Sequence, residues 1–153
     1  VISPPGIDRS FLHCPGANDT FSADDIGDDL LAGARLFHFG YPPIMRRMYS
    51  GGGSELRRML ERVRAAGLTT SLDLSEPDPD SESGRADWER ILAAALPFVD
   101  VFLPSIDELL FMLERETTVV DHALLARLSD RVIGMGVAVA AITGPDMRLA
   151  ASE

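Results

Sequence analysis

Hydrophobic positions along the chain follow two alternating rhythms. In SELRRMLERVRAAG (54–67), Leu56, Met59, Leu60 and Val63 recur at helical spacing, and Gly67 follows the last of them. That pattern predicts an amphipathic helix with a glycine stop. RADWERILAAAL (85–96), IDELLFMLE (106–114) and HALLARLSDRVIGM (122–135) repeat the helical rhythm. Between them stand short apolar runs rich in β-branched and aromatic residues: RSFLHC (9–14), RLFHFG (35–40), LTTSLDL (68–74), VDVFLP (99–104) and VAVAAIT (137–143). These read as strands. RLFHFG is stopped by Gly40 and the Pro42-Pro43 pair.

Strands separated by helices of this length need crossover connections, which implies a mostly parallel sheet. The nearly unbroken apolar runs VFL and VAVAAI predict strands buried on both sides. The expectation is therefore an α/β fold with a doubly wound, mostly parallel sheet and helices on both faces. In such sheets ligands gather outside the carboxyl ends of the strands. Those ends here are Gly40-Tyr41, Asp73-Leu74-Ser75, Pro104-Ser105 with Glu108, and Thr143-Gly144.

Composition narrows the function classes. A chain of 153 residues, 46% hydrophobic and 25% charged, suits one soluble domain over 1–153. The net charge of −10 argues against nucleic-acid binding, which needs a basic stripe. No apolar run is long enough for a membrane span, and no signal-peptide layout opens the chain. The single cysteine, Cys14, excludes an internal disulfide and suits a reducing cytoplasm. The chain begins at Val1, as a trimmed or processed chain or a partial gene product would.

The segment VDVFLPSIDELLFML (99–113) carries the main candidate chemistry. Ser105-x-x-Glu108 after an apolar strand is the spacing of a capping box, in which serine and glutamate satisfy each other's amides. The same geometry puts a carboxylate in a first helical turn, where it can hold Mg²⁺ through water beside a phosphate. Both readings stand together. In PGAND (15–19), Gly16 permits close backbone approach and Asn18 offers donor and acceptor to a polyol; a plain turn is the alternative.

Other patterns carry less. YSGGGSEL (49–56) lacks the lysine and spacing of a phosphate loop. The acidic loop SEPDPDSESGR (75–85) superficially offers a calcium set in Asp78, Asp80, Glu82 and Glu89, but Gly84 is one place late and Pro79 intrudes. His13, His38 and His122 show no metal spacing, and no nucleophile elbow occurs. His38 reads as a core or edge histidine.

Taken in order, RSFLHCPGAND, ARLFHFGYPP, LTTSLDLSEPD, VDVFLPSIDELLFML and VAVAAITG resemble the middle of the PfkB (ribokinase-like) carbohydrate kinases. The resemblance covers nearly the whole chain, and PGAN with the strand–LPSIDEL unit are its most specific pieces. It implies a ribokinase-like fold and a kinase whose intact form moves the γ-phosphoryl of ATP to a sugar hydroxyl. It also implies ATP and Mg²⁺ as cofactors, a sugar or nucleoside as partner, and a cytoplasmic location. A homodimer is left open.

In that family an Asn-x-x-Glu at a strand end organises magnesium and nucleotide phosphates. Glu108 takes the glutamate role, with Ser105 where the family has asparagine. By the same resemblance Gly16, Ala17 and Asn18 lie near the sugar, and Asp73 lies near the phosphates. The family's sugar-clasping strands would precede Val1. Its Gly-Ala-Gly-Asp segment, with the anion hole and the catalytic aspartate, would follow Glu153, and PDMRLAASE (145–153) departs from the family's continuation. The expectation is a partial kinase with no catalytic residue of its own and little activity alone. The alternative is a non-catalytic α/β binding or assembly module. A different Rossmann-like nucleotide binder is disfavoured, since no glycine fingerprint follows an early strand.

Overall fold

The computed structural model of the chain describes residues 1–7, 10–114 and 120–144. Its centre is a sheet of β1 (Leu36–Phe39), β2 (Thr69–Asp73), β3 (Val101–Leu103) and β4 (Val139–Ala140). The strands pair in that order and all in parallel. Helix α1 (Asp28–Leu31) precedes β1, and α2 (Arg46–Tyr49) with α3 (Ser54–Ala65) connects β1 to β2. Helix α4 (Trp88–Ala95) connects β2 to β3. The last crossover is α5 (Ile106–Leu109), which widens into a π turn over Leu110–Glu114, followed by α6 (His122–Gly134). Among the described residues no helix is long and apolar enough to cross a membrane.

The expected α/β parallel sheet is thus present. Side chains alternate between its faces. On one face Phe39, Thr70, Leu72 and Phe102 are buried, with Phe37 and Ala140 half-buried. They meet the helical layer, whose core includes Leu56, Met59 and Leu60 of α3, Trp88 and Leu92 of α4, and Leu128 and Val132 of α6. On the other face His38 and Thr69 are exposed, Val101 and Leu103 are half-buried, and Leu36 and Val139 stand 57% and 52% exposed. The physical reason lies in the topology. A strand order advancing in one direction, joined by right-handed crossovers, delivers successive helices to the same face. The helical cover expected on both faces is therefore concentrated on one across these four strands.

Two finer expectations are corrected. The runs VFL and VAVAAI are not buried on both sides, because β3 shows only Phe102 to the core and β4 is an edge strand of two residues. Among the described residues of the run 9–14, the expected strand does not form. Arg9 lies outside the described residues, Ser10 makes an isolated antiparallel bridge to Ile2, and Phe11 and Leu12 are exposed. The segment 145–153 also lies outside the described residues.

Long-range polar ties fix the periphery. Arg131 on α6 reaches Glu89 on α4 at 2.7 Å and Glu114 at 3.3 Å. Arg62 on α3 donates to the Ala23 carbonyl at 2.6 Å, while Glu55 accepts the Ala23 amide at 2.8 Å. Two of the four carboxylates of the calcium-like spacing are engaged elsewhere: Glu89 with Arg131, and Glu82 with Arg46 at 3.2 Å.

Candidate functional site

The carboxyl ends of β2, β3 and β4 converge, and Ser105 sits at the centre of that edge. Pro104 ends β3, and Ser105 keeps an extended backbone, φ −80° and ψ 161°, as the N-cap of α5. Its Oγ accepts the Glu108 amide at 3.2 Å, and its own amide donates to Glu108 Oε2 at 2.7 Å. The capping box read from the sequence therefore exists. Thr143 bridges to Ser105 in parallel, its carbonyl accepting the Ile106 amide at 2.7 Å. The Thr143–Gly144 end is thus brought beside Ser105.

Asp73 closes β2 and pairs with Leu103, two residues before Ser105. Its Oδ1 accepts the Leu74 amide at 2.9 Å, which turns the chain out of the sheet. The next residues carry a buried Ser75 hydroxyl, without a hydrogen-bond partner among the described residues, and an exposed Glu76. The Tyr41 amide donates to the Asp73 carbonyl at 3.3 Å, and Tyr41 adopts a left-handed φ of 64°.

Electrostatics tie these carboxylates together. Burial raises the proton affinity of Glu108 above the ordinary glutamate range. The hydrogen bonds from Ser105 oppose that shift, and the charges of Asp73 and Glu76 reinforce it. A carboxylate that is half-buried and repelled by two others is stabilised by an arriving cation.

Among the described residues no group of three or more His, Cys, Asp or Glu side chains converges as an all-protein metal cage. That does not fit calcium, which takes six to eight oxygens. Magnesium keeps several waters and is commonly held by one or two carboxylates plus substrate phosphates. The hard oxygens of Glu108 and Asp73, with the orphaned Ser75 hydroxyl nearby, fit that mode.

The Gly16, Ala17 and Asn18 turn is a 3-10 helix, Gly16–Thr20, with Gly16 at φ +53°. Gly16 and Ala17 are exposed and Asn18 is half-buried. Asp19, next in line, accepts the Arg46 amide of α2 at 3.0 Å, which fastens the turn on the β1 side of the molecule. His38 is an edge residue on the exposed face, its Nδ1 3.1 Å from Ser71 Oγ. Glu76 was missed as a site residue by sequence reasoning. The available signal was its place in an acidic loop directly after a strand end.

The sequence matches no protein-family model and no curated protein. Solved structures do match its fold. The PfkB protein from Polaromonas sp. JS666 superposes with a TM-score of 0.57 at 20% identity, covering 81% of this chain and 40% of that one. Ribokinase from Giardia lamblia gives 0.55 at 16% identity, covering 82% and 35%. Fructokinase from Xylella fastidiosa gives 0.53 at 16% identity, covering 82% and 37%. The chain therefore spans well under half the length of these structures, and at such identities the likeness bears on fold. Its fold is a ribokinase-like α/β fold, matching part of each of these structures.

Proposed function

We propose that residues 1–153 form one partial ribokinase-like domain of a cytoplasmic sugar kinase, carrying its metal–phosphate corner. The observation that carries this reading is the doubly bonded Ser105–Glu108 box at the end of β3, with Glu108 pressed toward protonation by burial and by Asp73 and Glu76. Ser105 and Asp73 stand on the nucleotide side, and Glu108 holds the cation through water. Gly16, Ala17 and Asn18 contribute to the sugar or nucleoside side. Magnesium, when bound, neutralises nucleotide phosphates that the carboxylates would otherwise repel.

Phosphoryl transfer depends on positioning and on electrostatic stabilisation of the moving group. Glu108 and its capping serine supply positioning of charge. Among the described residues no glycine-rich anion hole with an aspartate base follows a strand. General-base help alone is worth about 10²–10⁴-fold. The chain by itself is therefore expected to bind Mg·ATP without useful turnover.

The test is a coupled ADP-release assay against pentoses, hexoses and nucleosides, run on this chain and on a form extended through its downstream coding sequence. Sugar-dependent turnover in the extended form, abolished by Glu108→Gln, supports the reading. Turnover by the 153-residue chain alone would overturn the assignment of inactivity. Absence of turnover in both forms would favour a non-catalytic module.

A further inference from the structure

A pocket of about 410 Å³ lies where α4 crosses the start of α3. Gly51 and Gly52 form one wall, and Ser54, Arg57 and Arg58 of α3 with Arg90 of α4 form most of the rest. Its volume lies in the range of small-molecule sites. We propose that this pocket binds a phosphate monoester, with the phosphate held between Arg57 and Arg90.

The first observation is the sign of the charge. Three arginines and one glutamate, Glu61, line the pocket, in a chain whose net charge is −10. Arg58 is already committed, to Asp24 and Glu55, each at 2.9 Å. The other two arginines are not. The Arg90 guanidinium has no hydrogen-bond or ion-pair partner among the described residues. Arg57 meets Glu61 only at 3.8 Å, with both side chains more than half exposed, and such a pair is worth little. A dianion entering here gains two guanidinium partners without breaking a strong internal bond, and forked donors suit phosphate oxygens.

The second observation is how the two cations are held. Arg90 comes from a different helix, and its guanidinium lies against the glycine turn. A Cβ at Gly52 would stand 3.4 Å from Arg90 Nε and 3.6 Å from its Cζ. The Arg57 guanidinium sits over the Phe98 ring, 5.7 Å from its centroid. The opening amides of the twelve-residue α3 have no side-chain cap, and they add donors to an anion that the arginines recruit. As a sequence, YSGGGSEL lacks the lysine of a phosphate loop; in the fold, Arg90 brings a cation to the same glycines. The inference stands apart from the kinase reading, since neither Asp73, Ser105, Glu108 nor the Gly16–Asn18 turn lines the pocket.

The test is a ¹H–¹⁵N NMR titration with glycerol 3-phosphate and with glycerol as its uncharged counterpart. Mg²⁺ and nucleotide are left out, so that the Glu108 corner does not contribute, and ionic strength is kept low to limit screening. Glycerol 3-phosphate is expected to give saturable shifts at Gly51, Gly52, Ser54 and the Arg57 and Arg90 side chains, and glycerol none. Arg90→Gln should weaken binding about fivefold or more, and Arg57→Gln/Arg90→Gln should abolish saturation. The spectra of both variants also report their folding. Glycerol binding as tightly as its phosphate would overturn the proposal. So would unchanged affinity in the folded double variant, or shifts confined to residues outside the pocket.

Discussion

Ser105 and Glu108 close on each other twice, the Ser105 amide on Glu108 Oε2 at 2.7 Å and the Glu108 amide on Ser105 Oγ at 3.2 Å. This pair both starts α5 and fixes a carboxylate at the working edge of the sheet. Removing the serine hydroxyl separates the two roles. Ser105→Ala should cost about 1 kcal/mol, the usual loss for an N-cap. For a chain of this length that lowers Tm by roughly 2–4 °C, measurable by thermal unfolding.

The pH dependence of Glu108 has a definite sign. Burial, then Asp73 and Glu76, raise its folded-state proton affinity, so the folded chain holds this proton to higher pH than the unfolded chain. The associated stability is full below the ordinary glutamate value and is lost as pH rises through the raised one. Glu108→Gln keeps the box, because glutamine also fits its third position. The variant should match the parent at acid pH and become the more stable of the two as pH rises. Denaturant midpoints across that window check it; a parent that gains on the variant with rising pH would refute it.

Gly53 and Gly67 both have positive φ, 76° and 84°. A Cβ at Gly53 would meet Ile91 Cγ2 at 2.7 Å, whereas one at Gly67 meets nothing within 4 Å. Gly67→Ala should therefore cost only the left-handed backbone penalty, about 1 kcal/mol. Gly53→Ala adds overpacking against α4 and should cost about 3 kcal/mol. Urea unfolding of the two variants measures the difference.

The less covered sheet face and its edges predict association. Leu36 on β1 and Val139 on β4 are each more than half exposed at the two ends of the sheet. Such edges recruit other chains unless a charge interrupts them. Sedimentation should show concentration-dependent self-association, weakened by Val139→Lys. A monomer at every concentration would count against this.

The helices and inner strands were legible in the sequence because their signals are local. The spacing of Leu56, Met59, Leu60 and Val63 needs no partner to be read, and all four are buried. The S-x-x-E box was legible for the same reason. The run at 9–14 misled because an apolar segment becomes a strand only where a neighbouring strand offers hydrogen bonds. Beyond the Ile2–Ser10 bridge, no partner engages Leu12 or His13 in a ladder among the described residues. The one-sided cover was not legible, since it follows from the order β1-β2-β3-β4, which no single segment encodes. The pressure of Asp73 and Glu76 on Glu108 likewise joins residues more than thirty positions apart.

The central claim, a metal–phosphate corner at Ser105–Glu108, is tested most directly by calorimetric titration of ATP into this chain with and without Mg²⁺. Weak, saturable binding that requires Mg²⁺ and falls about tenfold or more in Glu108→Gln is expected, while the variant stays folded. Binding that is equal without Mg²⁺, or unchanged in the folded variant, would contradict it.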